Sequence, residues 1–486
     1  MKKLIIFICC LGLFASCNDF LDRNPYTSLN EDLAVVDTTT ANYALTGIYH
    51  QMQSESSYGR LPIVIPDAAT SNLMLSASNS NRYIATSQWT TTASAGEPIS
   101  VWATMYTFIN SANKIIGKVG DIPEDSDPVK IGRRKAQIKA EALTMRALGH
   151  FTLVSLFAQA YPGAETTLGV PYMEASHVFD KPVRDDVQTV YNKLIADLTE
   201  AISLFTTNRN PQGNAPYRAD MWFAKALLAK IHMHKLDYAA AKPILEDIIY
   251  NGGFTLLTNG EYNGAWSKTY NSGYAYTGGV ATKKTEFMFA IANRSDDYPA
   301  TGSLGYIYIE AGYNDLRPSQ ELIDLFDATD VRRGVIYVNG TTSSTASEVY
   351  VGKYPSRDGS NGLCDNPIMR LSDVYLFYAE ACAYTNDEAT AINYLDQIRK
   401  RADPSAITST ETGTALKDKI FLERRKELAF EGQYLYDLKR YHMEIKSGYR
   451  ADGTLYTTIL YPSNKRAYLI PQAEMDANPN MVQNPL

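Results

Sequence analysis

Two stretches of this chain are outline copies of one another. The segment LLAKIHMHKLDYAAAKPILEDII (227–249) matches YAEACAYTNDEATAINYLDQIR (378–399) at an offset of 150 residues. Ala229 aligns with Ala379, Asp237 with Asp387, Ala241 with Ala391, Leu245 with Leu395 and Ile248 with Ile398. Each copy predicts a helix, a short turn carrying Asp, and a second helix. Small alanines at the crossing let the two backbones approach. A hairpin of this kind cannot bury its apolar face alone, so other helices must stack on it. The copies are not in tandem, which excludes a simple solenoid. Pro243 falls near the start of its helix, where a missing N–H costs little.

The same period of three and four recurs upstream. Ala140, Leu143, Ala147, Phe151, Val154 and Ala158 share one helix face, which Pro162-Gly163 should end. Val187, Tyr191, Leu194, Leu198, Ala201 and Phe205 repeat the pattern, with Asp185 and Gln188 placed to cap its start. The predicted fold class is mainly α: a scaffold of tetratricopeptide-like helix hairpins with long irregular loop inserts. Residues 54–100 and 251–365 are those inserts, rich in Ser, Thr, Asn, Gly and Tyr. Inserts of such length in a folded domain are usually functional. Residues 31–486 read as one domain, with a helical half (31–250), a tyrosine-rich insert (251–365) and a C-terminal region (366–486).

The N-terminus predicts export. Lys2 and Lys3 precede the apolar run Leu4–Phe14, and the small residues Ala15 and Ser16 precede Cys17. That order is a secretory signal peptide over residues 1–16, and the run is too short to span a bilayer. Cys17 in this position resembles the lipobox of bacterial lipoproteins, although Phe14 replaces the usual Leu. A lipidated tether over residues 17–30 is therefore expected. Acyl chains add about 0.8 kcal/mol per buried methylene, enough in a multiply acylated Cys to anchor a soluble domain.

The net charge of −7 argues against nucleic acid as a partner, since that needs a basic face. Loss of Lys2 and Lys3 with the signal makes the mature chain more acidic still. Cys364 and Cys382 are the cysteines left after Cys9, Cys10 and Cys17 are accounted for; they make no disulfide framework, and one bridge between them stays open. His232 and His234 point to different helix faces, so no metal site is expected. No G-x-S-x-G elbow, phosphate loop or G-x-G-x-x-G occurs, so neither a catalytic residue nor a cofactor is assigned.

Glu423, Glu427 and Glu431 lie four apart, near Arg424, Arg425, Asp437 and Arg440. Two of these carboxylates could form the acid/base pair of a glycosidase. An ion-pair network is favoured instead, because carboxylates beside arginines stay ionised. Gly432 is placed to end that helix.

Tyrosine is the compositional outlier, at 34 residues in 486. Aromatic faces stack on the apolar C–H faces of sugars, while Asn, Asp, Gln and Arg take the hydroxyls. Loop residues of both kinds are the ligand-binding candidates: Trp89, Tyr262, Trp266, Tyr274, Tyr276, Asn293, Arg294, Tyr298 and Tyr313. Trp222 begins a repeat helix and reads as packing.

The segments RLSDVYLFYAEACAY (370–384), YLDQIRKRA (394–402), ERRKELAFEGQYLYDLKRY (423–441) and LIPQAEMDANPNMVQNPL (469–486) follow one another in this order. Together they closely resemble the SusD/RagB family of outer-membrane lipoproteins. The stretches VWATMYTFINSANKII, IKAEALTMRALGHFTLVSLFA and TVYNKLIADLTEAISLF resemble its N-terminal half. One departure is the end at Leu486, where the family often continues with Gly-Tyr. The resemblance implies a helical fold with four tetratricopeptide-like hairpins, and it makes Trp102 a core residue. It implies an outer-membrane protein held by the lipid on Cys17 and facing the cell exterior, with Asp19 and Asp22 resembling a surface-export signal. It implies capture of a glycan ligand for a SusC-like TonB-dependent transporter. Peptide capture for the same kind of transporter is the alternative, and a lipid-anchored glycosidase the third reading.

Overall fold

The computed structural model describes residues 35–127, 130, 134–176, 179–205, 216–267, 276–277, 280–281 and 285–486. Helix α1 (Thr38–Met52) starts at a capping box in which the Asp37 carboxylate accepts the Thr40 N–H at 2.7 Å. Helices α2 (Leu61–Ala68) and α3 (Pro98–Val119) carry a proline in their first two positions, Pro62 and Pro98, where the absent N–H is one that no helix bond would have used. Helix α4 (Lys135–Phe157) is buried along almost its whole length, and α1, α3 and α5 (Val187–Leu204) pack around it. Asp186 caps α5, accepting the Thr189 N–H at 2.6 Å, one residue beyond the expected Asp185. Then come α6 (Met221–His234), α7 (Tyr238–Asn251), the short α8 (Asn259–Ala265), α9 (Leu371–Tyr384), α10 (Glu388–Ala402), α11 (Gly413–Glu427) and α12 (Tyr434–Arg440). Each long helix packs on its sequence neighbour, and α9 packs on α7. The chain is thus mainly helical, as expected. Among the described residues no helix is long and apolar enough to cross a membrane.

The internal repeat is real in three dimensions. Pairs α6–α7 and α9–α10 are the two hairpins, and their turns match residue for residue. Leu236 and Asn386, 150 positions apart, both take the left-handed conformation, at φ 57° and 62°. The next residues, Asp237 and Asp387, cap the second helix of each pair. Lys242 of the first copy reaches Asp387 of the second at 2.9 Å and holds its carboxyl below the usual range, with the Thr390 hydrogen bond helping. Asp387→Ala removes both the cap and this cross-copy pair. It should cost about 1 kcal/mol in urea unfolding, and an unchanged midpoint would show the cap to be idle.

Small antiparallel pairs organise the inserts. Strand β1 (Leu73–Leu75) pairs with β3 (Leu316–Pro318), β2 (Phe287–Ile291) with β6 (Asn366–Arg370), and β4 (Val338–Asn339) with β5 (Val349–Tyr350).

Where the insert meets the last helices, the buried carboxylates form a network. Arg370, fully buried, contacts Glu286, Glu427 at 3.0 Å and Glu431 at 2.7 Å. Arg401 bridges Glu286 at 2.9 Å and Glu427 at 2.6 Å; Arg332 joins Asp330, Glu423 and Glu427; Lys353 pairs with Glu431 at 2.8 Å. Burial alone would push the Glu427 carboxyl up, but Arg401, Arg370 and Arg332 hold it well below the usual range. A carboxylate kept ionised in this way is a poor general acid. Helix α11 ends at Glu427, earlier than expected, and Gly432 lies in the turn that follows. There it takes φ 71°, with its amide 2.8 Å from the Asp67 carboxylate, and a Cβ would stand 2.8 Å from the Ile63 carbonyl oxygen. Cys364 and Cys382 are buried free thiols, so the bridge left open by the sequence is not formed.

Candidate functional site

The short β1–β3 ladder brings two loops together. Leu75 pairs with Leu316, so residues 76–83 leave β1 beside residues 305–315 as these enter β3. Asp315 is the joint. Its backbone carbonyl accepts from the Ser76 N–H and from the Asn79 side chain, each at 3.0 Å. Its buried carboxylate accepts the Ser80 N–H at 2.6 Å and the Ser80 hydroxyl at 2.8 Å, and faces Arg82 at 3.3 Å. Arg82 then lies over the Tyr313 ring, 3.6 Å from its centroid. Tyr306 meets Tyr313 edge-on at 5.0 Å, and the Tyr313 N–H donates to the Tyr306 carbonyl at 2.8 Å. Both rings are half-buried, so each keeps surface open to solvent.

The backbone here is strained. Asn81, Tyr83 and Asn314 have φ of 67°, 59° and 52°. Asparagine tolerates this conformation, whereas a bulky residue such as Tyr does not. Tyr83 is held there by burial and by its N–H donating to the Glu97 carboxylate at 2.7 Å. Strain of about 1–3 kcal/mol per residue persists only where its surroundings enforce it, and it gathers at binding sites.

The tip of the second loop forms one wall of a cleft of about 530 Å³. Ile309, Glu310 and Ala311 face Val338, Asn339 and Thr341 of the β4–β5 hairpin, with Tyr350 on the floor. Glu310 accepts the Thr341 N–H at 2.9 Å and its hydroxyl at 2.7 Å, and also the Thr345 hydroxyl. These bonds, that from Thr345 first, hold its carboxyl below the usual range. Beside it, Glu348 pairs with Arg317 at 2.8 Å and takes the Tyr350 hydroxyl at 2.5 Å. Burial, with Glu348 next, pushes the Tyr350 phenol up to about 12. A cleft with apolar walls and convergent polar groups, and two half-open rings on the loop that forms one of those walls, suits a polar ligand with apolar faces. Three other cavities, of about 10, 50 and 120 Å³, fall below the usual ligand range of about 300–1,000 Å³.

Of the residues expected at a site, Tyr313 lies in this one. Tyr262 and Trp266 do not. The segment carrying them folds inward as α8, and both are buried. The Trp266 ring has Lys353 at 4.7 Å and Arg370 at 5.2 Å; Tyr262 has Arg401 at 4.5 Å and its hydroxyl 3.4 Å from Glu427. These rings cover the buried ion network, so neither face is open to a ligand. Trp89 is 7 % exposed, its indole N–H donates to the Ala69 carbonyl at 2.7 Å, and it stacks on Tyr468; its ring edges only the 120 Å³ cavity. Asn293 is buried and holds the Cys364 carbonyl at 2.8 Å, a structural role. Arg294 is exposed but paired with Asp296 at 2.9 Å, and Tyr298 is half-buried, both on a turn that Gln53 pins through the Ala292 and Asp297 carbonyls. Tyr276 lies in a two-residue strand, and Cys17, Asp19, Asp22 and Tyr274 lie outside the described residues. Trp102 and Trp222 are core residues, as read.

Sequence reasoning passed over Arg82 and Glu310, and left Tyr306 among the many tyrosines of the second insert without singling it out. The run Ser78-Asn79-Ser80-Asn81-Arg82 carried the available signal, since Asn and Ser so placed favour turns and left-handed backbone.

Comparison with known proteins gives two family matches. The model described as the SusD family matches residues 336–486, and one described as starch-binding associating with outer membrane matches residues 19–233. A SusD-like protein of Bacteroides ovatus is 25% identical, over 90% of this chain and 82% of its own length. A SusD-like protein of Formosa agariphila is 26% identical, over 100% of this chain and 99% of its own. Among solved structures, a candidate sugar-binding protein from Bacteroides vulgatus superposes with TM-score 0.82 at 29% identity, covering 93% of this chain and 99% of that one. A SusD superfamily protein from Bacteroides thetaiotaomicron gives 0.79 at 27%, covering 93% and 100%.

Proposed function

Because this chain belongs to the SusD/RagB family, we propose that it captures a glycan at the cell surface and passes it to a SusC-like TonB-dependent transporter in the outer membrane. The observation that carries the reading is the Arg82–Tyr313–Tyr306 platform, set on strained backbone beside an open cleft. Sugar rings present apolar C–H faces to such rings, and their hydroxyls find Asn81, Asn339 and Glu310 at the edges. The mechanism is capture without bond breaking. Helices α1–α7 and α9–α12 are the rigid mount, and the loops at β1 and β3 carry the recognition. The lipid on Cys17 would keep the domain at the membrane, so that released ligand meets the transporter before it diffuses away.

Calorimetry of the purified mature protein against a broad panel of oligosaccharides tests this. A dissociation constant on the order of micromolar to millimolar, about −8 to −4 kcal/mol, is expected for one glycan class. Binding of peptides alone, or of nothing in the panel, would overturn the reading.

A further inference from the structure

We propose that the site selects its ligand by charge: it accepts an uncharged, hydroxyl-rich chain and rejects the same chain bearing carboxylate or sulfate groups. The inference rests on the glycan reading and adds the charge class of the ligand.

Arg82 is the cation on the platform, and Asp315 already answers it at 3.3 Å. An incoming anion would have to compete with a buried carboxylate fixed by two Ser80 hydrogen bonds. Arg317, below the cleft, is matched by Glu348 at 2.8 Å. Glu310 is different: it lines the cleft and is held by hydroxyls and an amide rather than by a cation. A carboxylate has about four lone-pair sites. Oε2 of Glu310 uses two on Thr341 and Oε1 uses one on Thr345, with the Thr342 amide adding a weaker pull, which leaves at most one acceptor site for a ligand. Only a donor can fill it. A sugar hydroxyl donates, whereas an ionised carboxylate or sulfate has nothing to donate and meets a like charge. The cleft wall therefore carries a carboxylate that no cation pairs with among the described residues, on the same loop as Tyr306 and Tyr313.

The test compares neutral polysaccharides with sulfated or uronate-oxidised preparations of the same polymers, by affinity electrophoresis and calorimetry on the mature protein. The neutral parent should bind about tenfold more tightly at low ionic strength, and added salt should narrow the gap. Glu310→Gln, which keeps an acceptor and removes the charge, should shrink the neutral-to-anionic ratio severalfold. Equal or tighter binding of the anionic forms would overturn charge selection and leave glycan capture standing. A ratio indifferent to Glu310→Gln would overturn the part given to Glu310. Binding of neither form, across every pair, would overturn glycan capture and this inference with it.

Discussion

Arg370→Met should lower the unfolding free energy by about 3–5 kcal/mol, the largest loss expected from any single change in this chain. The guanidinium is fully buried and answers Glu286, Glu427 and Glu431 together, and it also donates to the Glu427 carbonyl at 3.0 Å. Methionine fills similar space and restores none of this. Arg401, Arg332 and Lys353 remain, but each is already engaged, so the carboxylates are left partly unmatched in a medium that solvates charge badly. The penalty of stranding buried charge exceeds what the pairs add over an apolar core, which is why removing one partner costs more than replacing the whole set. Urea unfolding followed by circular dichroism checks this. A loss under about 1 kcal/mol would mean that water reaches the network or that its charges neutralise one another by proton transfer.

The second large effect concerns the site. Tyr313→Ala should weaken binding of the preferred glycan at least about tenfold, or about 1.4 kcal/mol. The change removes the half-buried ring, the edge contact to Tyr306 and the surface on which Arg82 lies at 3.6 Å. Without that surface the guanidinium keeps its pairing with Asp315 but loses its seat over the platform, so a second contact goes with the first. Tyr313→Phe keeps the ring and should retain most of the affinity. Because the ring is half-buried, thermal melting must be run alongside, with a modest loss of about 1 kcal/mol expected. Wild-type affinity in a folded Tyr313→Ala protein would remove the platform from the binding mechanism.

The scaffold was legible because periodicity reports it directly. Ala229, Asp237 and Leu245 align with Ala379, Asp387 and Leu395 because each pair does the same work at a helix crossing, a cap and a buried seam. The carboxylates at 423, 427 and 431 could be assigned to ion pairs because arginine lay next to them. What the sequence could not show was Glu286 and Arg332 arriving from the insert to join one network with Arg370 at the end of β6, since no local pattern links residues so far apart. The site was harder for a related reason. Composition separates aromatic from polar stretches, not exposed rings from buried ones. Trp266 and Tyr313 sit in similar surroundings along the chain, yet one covers a salt-bridge network and the other lies at the surface. That choice is made by β1 pairing with β3, a contact spanning more than two hundred residues.

The docking of α9 on α7 has a further consequence. The chain leaves the scaffold after α7 and re-enters it at α9, so the whole excursion between them begins and ends on neighbouring helices. A closed loop of this kind pays for added length only logarithmically, about 0.6 kcal/mol per doubling. The excursion carries Tyr306, Glu310 and Tyr313 between β2 and β3, so that recognition loop can lengthen or shorten at little entropic cost while the two hairpins that bracket the excursion keep the same embrace.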